Sequence, residues 1–309
     1  MSNGPVFIGG LSFSGKTQLR LLLSSHPNFV FTRRTYMWTR FYERYGDLSQ
    51  AENLERCLNA MMRSKHIQAL NPDLDRIRRE FWHGPPDYPR LFALFHEHYA
   101  ESQGKTRWGD QLGFVEKYAD PIFAAYPSAK MIHMIRNPIE RCQESISTKA
   151  YRKGKVGFET AHWMRSARLA RQNQQRYPDR YKIVLCEELF ARPEETLLDV
   201  CHFLGEEYFP YMLEESSKPG FWKEAGSYRD GSTEVDDHPS NLSKNGQPSL
   251  SKTEQGFIHA IAGREMIAFG YPAEVYPFTA KDWLLYLFID WPANLAGMAA
   301  WRSRVGKSH

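Results

Sequence analysis

Gly10-Leu11-Ser12-Phe13-Ser14-Gly15-Lys16-Thr17 fits the G-x-x-x-x-G-K-T pattern at every fixed position. Such a loop suits phosphate for a simple reason. Glycines let the backbone curl until successive amides point at one anion, and a helix beginning there adds the positive end of its dipole. The backbone N–H groups of Ser14, Gly15, Lys16 and Thr17, with Gln18 beside them, form the expected cradle. Lys16 adds a mobile charge for oxygens that become more negative during transfer. Arg136-Asn137-Pro138 offers a second anion site, an arginine at the end of an apolar run and ahead of a helix start, although taken alone an arginine there is more often part of a surface salt bridge. Two anion sites on one sheet edge suit a nucleotide with phosphates at both ends of its ribose. A magnesium-dependent kinase would also need an aspartate at the end of another strand. Lys130–Ile135 runs into Arg136, and Tyr181–Leu185 into Cys186-Glu187-Glu188, so only Glu187 could substitute.

Asp110 is the leading candidate for a general base, which must lie within hydrogen-bond reach of the hydroxyl it deprotonates. Trp108, two residues earlier, would shield its carboxylate from water. An aspartate at a strand end can equally be a structural cap. His96 and His98 stand two apart on an expected helix, so their rings do not share a face and predict no metal site. Arg33, Arg34 and Arg40 lie where an acceptor could enter, and a solvated basic face explains them as readily.

These residues need elements to position them. Val6-Phe7-Ile8 reads as a buried parallel strand ending in Gly9-Gly10, and Leu19, Leu22 and Leu23 give a helix from Gly15 to Ser25. Lys130–Ile135 and Tyr181–Leu185 are two further strands. Helices are expected from Pro138, over Glu159–Gln175, over Pro193–Leu204 with proline at its first position, and over Ser251–Phe269 before Gly270. This is α/β: a phosphate-loop parallel sheet flanked by helices, forming one domain over 1–309. Leu54, Leu58, Met61 and Met62, then Leu91, Leu94 and Phe95, predict a helical insertion over 47–104. A Gly/Ser/Pro/Asp/Lys-rich stretch over 216–255 reads as a lid-like loop or a plain excursion, and an apolar, basic tail covers 280–309.

Composition narrows the function class. The 309 residues are 42% apolar and 14% aromatic, which excludes disorder, collagen and coiled coil. A net charge of +4 is too small to argue for a nucleic-acid binder, yet it tolerates a compact anionic ligand. Cys57, Cys142, Cys186 and Cys201 have no Cys-x-x-Cys spacing, which predicts reduced thiols in a cytoplasmic protein. Met1–Pro5 carries no signal-peptide pattern. Trp283–Ile289 is apolar but interrupted by Asp290 and Pro292, so it is too short to span a membrane. Core packing or rest on a lipid surface would each account for it.

Taken together, the motifs resemble the sulfotransferases that use 3′-phosphoadenosine 5′-phosphosulfate (PAPS). Ser12–Thr17 occupies the place of that family's 5′-phosphosulfate loop, and Arg136-Asn137-Pro138 that of its 3′-phosphate motif. The helix ending in His26-Pro27, and Trp163, Arg176-Tyr177-Pro178, Glu187-Glu188-Leu189 and Phe203-Leu204-Gly205, are similar to the bacterial pattern over Val6–Leu213. The resemblance implies PAPS as co-substrate, no required metal, and a hydroxyl acceptor that is a carbohydrate, a lipid or another small molecule. On that reading Lys16 serves the departing bridging oxygen, Arg136 and Ser145 hold the 3′-phosphate, and Lys244 on the polar loop is a speculative third phosphate contact. Several residues depart from the pattern. Phe13 replaces a cation, Gln111 stands where many members have lysine, and Glu144 occupies the usual serine position eight residues after Arg136. Either Glu144 points away and Ser145 serves, or 3′-phosphate affinity falls. An adenylylsulfate-kinase-like enzyme and a non-catalytic nucleotide-binding protein are the competing readings.

Overall fold

The computed structural model describes residues 4–148, 152–216, 249–272 and 274–306. Five parallel strands form one sheet in the order β2-β3-β1-β4-β5. β1 (Val6–Gly10) is entirely buried and leads through the glycine loop into α1 (Lys16–Ser24). β2 (Phe29–Arg33) follows the His26-Pro27 turn, and the short α2 (Met37–Arg40) follows β2. Chain from α3 (Ala51–Met61) through α4 (Lys65–Gln68) and α5 (Leu74–Phe81) to α6 (Tyr88–Ser102) is helical. Phe92 of α6 packs edge-on against Trp38 and Trp108, so these helices share a core with the sheet.

β3 (Arg107–Gln111) is buried along its whole length although four of its residues are Arg, Gly, Asp and Gln. Its polar groups have partners. Arg107 Nε donates to the Gly4 carbonyl at 2.7 Å, and its Nη1 to the Leu204 carbonyl and to Glu206. A 3₁₀ turn (Val115–Tyr118) and α7 (Ala119–Ala125) lead to β4 (Lys130–Ile135). After α8 (Pro138–Thr148), the long α9 (Lys155–Arg176) carries the chain to β5 (Tyr181–Leu185). α10 (Cys186–Ala191), α11 (Pro193–Leu204) and α12 (Tyr211–Ser216) follow.

Residues 217–248, most of the lid-like stretch, lie outside the described residues, and Lys244 with them. α13 (Lys252–Ala268) starts at a capping box in which Ser251 and Glu254 satisfy each other's backbone N–H groups. The C-terminal arm is α14 (Ala280–Leu285), a π-helical turn (Tyr286–Asp290) and α15 (Trp291–Gly306). Core packing explains little of its apolar run: Tyr286 is buried, whereas Trp283, Leu284, Leu287 and Phe288 are exposed. No helix among the described residues is long and apolar enough to cross a membrane. α15 lies very close to α9. A Cβ on Gly157 would stand 1.9 Å from the Asn294 carbonyl oxygen, and one on Gly297 would stand 1.8 Å from that of Gly154. The Gly157 N–H donates to Asn294 Oδ1 at 3.0 Å.

Candidate active site

Parallel α/β sheets bind ligands outside the carboxyl ends of their strands, where the strand order reverses direction. Here that point is the end of β1, between β3 and β4. Gly10 leaves β1 with φ 113°, and a Cβ there would stand 2.4 Å from the Met134 carbonyl oxygen, so only glycine fits. Phe13 and Gly15 also take positive φ, at 67° and 85°, and curl the loop. Ser14 Oγ donates to the Leu11 carbonyl at 2.6 Å, leaving its backbone N–H for another partner. Ser14, Lys16, Thr17 and Gln18 are all buried. Lys16 is 5% exposed and, among the described residues, its side chain has neither an ion pair nor a hydrogen bond. A nearly buried ammonium without a counterion, at a helix start, fits an anionic phosphate group.

The second anion site is built differently from expectation. Arg136 stands just past β4, and Trp163 Nε1 donates to its carbonyl at 2.8 Å. Its guanidinium donates to the Phe13 carbonyl at 3.1 Å, pairs closely with Glu144 and lies 3.5 Å from Glu140. Glu144 therefore points at Arg136 and not away from it. Ser145 Oγ is engaged elsewhere, donating to Glu159 Oε1 at 2.9 Å. Arg141 completes that cluster, donating to Glu159 Oε2 at 2.6 Å and reaching the Ser12 carbonyl of the phosphate loop at 3.4 Å. Burial alone would raise the Glu159 carboxyl, but Arg141 and Ser145 hold it at about 2.

Asp110 is fully buried, and its two oxygens accept from Thr32 Oγ1 at 2.7 Å and Thr35 Oγ1 at 2.9 Å. His96 Nε2 lies 3.0 Å from the same Thr32 hydroxyl. Asp110 thus faces the interior, where both of its oxygens anchor the β2–α2 turn. His96 and His98 part company as their spacing requires, since His98 Nε2 lies 2.8 Å from Glu80. Glu187 is also committed: it accepts from the Asn137 N–H at 2.7 Å and from the Tyr271 hydroxyl at 3.0 Å. Gln111, at the position of the missing lysine, accepts from Arg20 Nε at 3.0 Å, so a cation from α1 reaches this strand end.

Two residues that motif reading passes over interact with the phosphate loop, Glu116 by a hydrogen bond and His162 through the charge of Lys16. Glu116 accepts from the Gly10 N–H at 3.2 Å, tying the 3₁₀ turn to the loop. His162 stacks on Phe114 with ring centroids 4.8 Å apart. Burial pushes its imidazole down to about 3, with Arg141, Arg165 and Lys16 adding to the effect and Glu159 opposing it. The α9 spacing could have flagged His162, which is one residue before Trp163 and three after Glu159.

Burial likewise lowers His26, His96 and His133. A histidine kept neutral in the fold binds a proton only on unfolding. Its contribution is therefore complete above the ordinary value of about 6.5 and is lost as pH falls below it. The loss approaches about 1.4 kcal/mol per pH unit for each such group. The urea midpoint should fall markedly between about pH 7 and about pH 5, a window that spans the ordinary histidine value; an unchanged midpoint would contradict this.

The sequence matches the model of the sulfotransferase family over residues 5–210. No curated protein matches it. A sulfotransferase domain from the Synechococcus PCC 7002 olefin synthase shares the fold, with a TM-score of 0.53 and 18% identity over 88% of this chain and 96% of that chain. A sulfotransferase domain from the curacin biosynthetic pathway is also similar, with a TM-score of 0.49 and 16% identity over 88% of this chain and 99% of that one. With a family match over two-thirds of its length, and with the phosphate loop and Arg136 within the matched region, the chain belongs to the sulfotransferase family of transferase enzymes.

Proposed function

We propose that the enzyme transfers a sulfuryl group from PAPS to a hydroxyl acceptor. The observation that carries this reading is Lys16, nearly buried and without a counterion at the mouth of the phosphate loop. The backbone amides from Ser14 to Thr17, with Gln18 behind them, cradle the 5′-phosphate. The acceptor oxygen forms its bond to sulfur as the bond from sulfur to the bridging phosphate oxygen breaks, and that electron pair leaves on the 5′-phosphate. Lys16 follows the charge onto this oxygen, and positioning supplies most of the remaining rate. The hydroxyl proton goes to His162 in preference to the enclosed Asp110. Burial is the first cause of the depressed imidazole and the neighbouring cations come second, so an arriving anionic donor offsets the second of these. Glu187 is engaged by Asn137 and Tyr271, which counts against the magnesium-kinase alternative.

The 3′-phosphate meets a site whose arginine already has a carboxylate partner. Glu144→Gln should remove that competitor and tighten adenosine 3′,5′-bisphosphate by about tenfold, about 1.4 kcal/mol. Calorimetric titration of both proteins decides this, and equal affinities would show that Glu144 swings clear at no cost. Buried free thiols support a reducing compartment such as the cytoplasm. The exposed Trp283, Leu287 and Phe288, with Arg302 and Arg304 on the same arm, support peripheral contact with a lipid surface.

The direct test is a thermal-shift titration with adenosine 3′,5′-bisphosphate beside ATP with and without magnesium. A hundredfold excess over Kd adds about 2.7 kcal/mol of stability. Stabilisation by the bisphosphate is the expected result; stabilisation by magnesium-ATP alone would overturn the donor assignment.

A further inference from the structure

A groove of about 800 Å³ opens between α9 and α15, with Lys117 of the 3₁₀ turn at its edge. Its floor is one stripe of α9, where Ala161, Arg165, Arg168 and Gln172 recur at three and four. Lys117, Arg165, Arg168 and Arg302 bring four cations to the lining, and no lining residue is acidic. Arg168 is engaged by Glu265 at 2.5 Å. Among the described residues the other three have no carboxylate within ion-pair distance. Burial pulls the Lys117 ammonium below its usual value, and Arg165 adds to that, so a negative partner would be stabilising there.

The rest of the lining is apolar and adaptable. Met164, Leu169, Met298 and Trp301 offer thioether, aliphatic and indole surface, a combination that accommodates chains and rings of varied shape. Trp301 also stacks under the Arg165 guanidinium at 5.8 Å and stands 6.0 Å from the His162 ring. Lys117 Nζ is 5.7 Å from the Phe114 ring on which His162 lies. His162, which Arg165 of the groove and Lys16 of the phosphate loop both influence, thus stands between Phe114 and Trp301.

We propose that this groove binds the acceptor, and that the acceptor is an amphiphilic alcohol carrying an anionic group. Its charged end meets Lys117, Arg165 and Arg302, and its apolar body covers Met164, Met298 and Trp301. This rests on the sulfuryl-transfer reading above and names the class of alcohol that it uses. An uncharged sugar would leave three cations unanswered, and a free inorganic anion would leave the apolar surface wet.

The test titrates the full-length protein with ω-hydroxylaurate, with lauryl alcohol (the chain without the charge) and with acetate (the charge without the chain). Thermal shift and tryptophan fluorescence are the readouts. Saturable binding of ω-hydroxylaurate, at least about tenfold tighter than either control, is expected. Arg302→Gln, at an exposed position, and Lys117→Gln should each weaken it several-fold and leave the adenosine 3′,5′-bisphosphate shift unchanged. Equal binding of lauryl alcohol or of acetate, or indifference to both substitutions, would overturn the proposal. Binding of ω-hydroxylaurate that depends on Lys117 and Arg302, without any bisphosphate shift, would sink the donor reading and leave the groove standing. The reverse pattern would sink the groove alone.

Discussion

Lys16→Ala protein should fold as well as the parent and lose sulfuryl transfer by about 100- to 1,000-fold, the effect typical of removing one group that stabilises developing charge. The two halves of this expectation have one cause. In the absence of ligand, Lys16 is a nearly buried cation with no ion pair among the described residues, so its removal deletes a desolvation cost that offsets the packing its stem loses, and breaks no ion pair. On the proposed mechanism the same charge faces an oxygen that becomes negative in the transition state, where it contributes most. A single-turnover assay with PAPS, beside a melting curve, measures both. A Tm that falls as far as activity does would make Lys16 a structural residue, and a loss below about tenfold would remove it from the chemistry.

Arg141→Met should be the costliest single change at the site for stability, about 3–5 kcal/mol, because it strands a buried carboxylate. Arg141 is 2% exposed and supplies the strongest of the contacts that hold Glu159 ionised. Without it, Glu159 keeps the Ser145 hydroxyl and the weaker influence of His162, and burial then drives its proton affinity up. In the parent protein the folded carboxyl titrates at about 2, below its ordinary range. The stability from this pair is therefore present above the ordinary carboxylate value and lost as pH falls through about 2. In the variant the penalty should shrink on mild acidification, as Glu159 takes up a proton. Urea midpoints across pH check this, and Arg141→Met combined with Glu159→Leu should recover much of the loss. A double variant no better than Arg141→Met alone would mean that the pair matters through packing and not through charge.

The parts of the fold that could be read from sequence are those whose signals are local. The apolar runs Lys130–Ile135 and Tyr181–Leu185 are strands with the expected ends, and Pro193–Leu204 is the expected helix. The phosphate loop is equally local, since its curl is set within the motif, by Gly10 and Gly15 and by Phe13 at positive φ. β2 and β3 are harder. β2 begins only two residues after the His26-Pro27 turn, and β3 carries Arg, Gly, Asp and Gln in five positions. Such a strand is buried only because distant groups satisfy it: Gly4, Leu204 and Glu206 for Arg107, Thr32 and Thr35 for Asp110. For the same reason, the direction in which Asp110 faces could not be read from its neighbours in the chain. Arg136 was legible as a cation at a strand end, yet its pairing with Glu144 depends on how α8 leaves β4. His162 owes its character to Phe114, Arg141 and Arg165, which no short motif gathers.

The backbone contact between α9 and α15 has a consequence for where this enzyme can be divided. The family match ends at residue 210, but Asn294 and Gly297 press on Gly157 and Gly154, which lie within it. A protein cut at the family boundary would keep every residue of the phosphate loop and uncover the stripe of α9 that α15 now shields. It would also lose Met298, Trp301 and Arg302, one whole bank of the groove. If the groove holds the acceptor as proposed, the donor end belongs to the part of the chain that relatives share. The choice of alcohol then belongs in large part to an arm that could be exchanged, provided its replacement brings residues small enough to lie against two glycines.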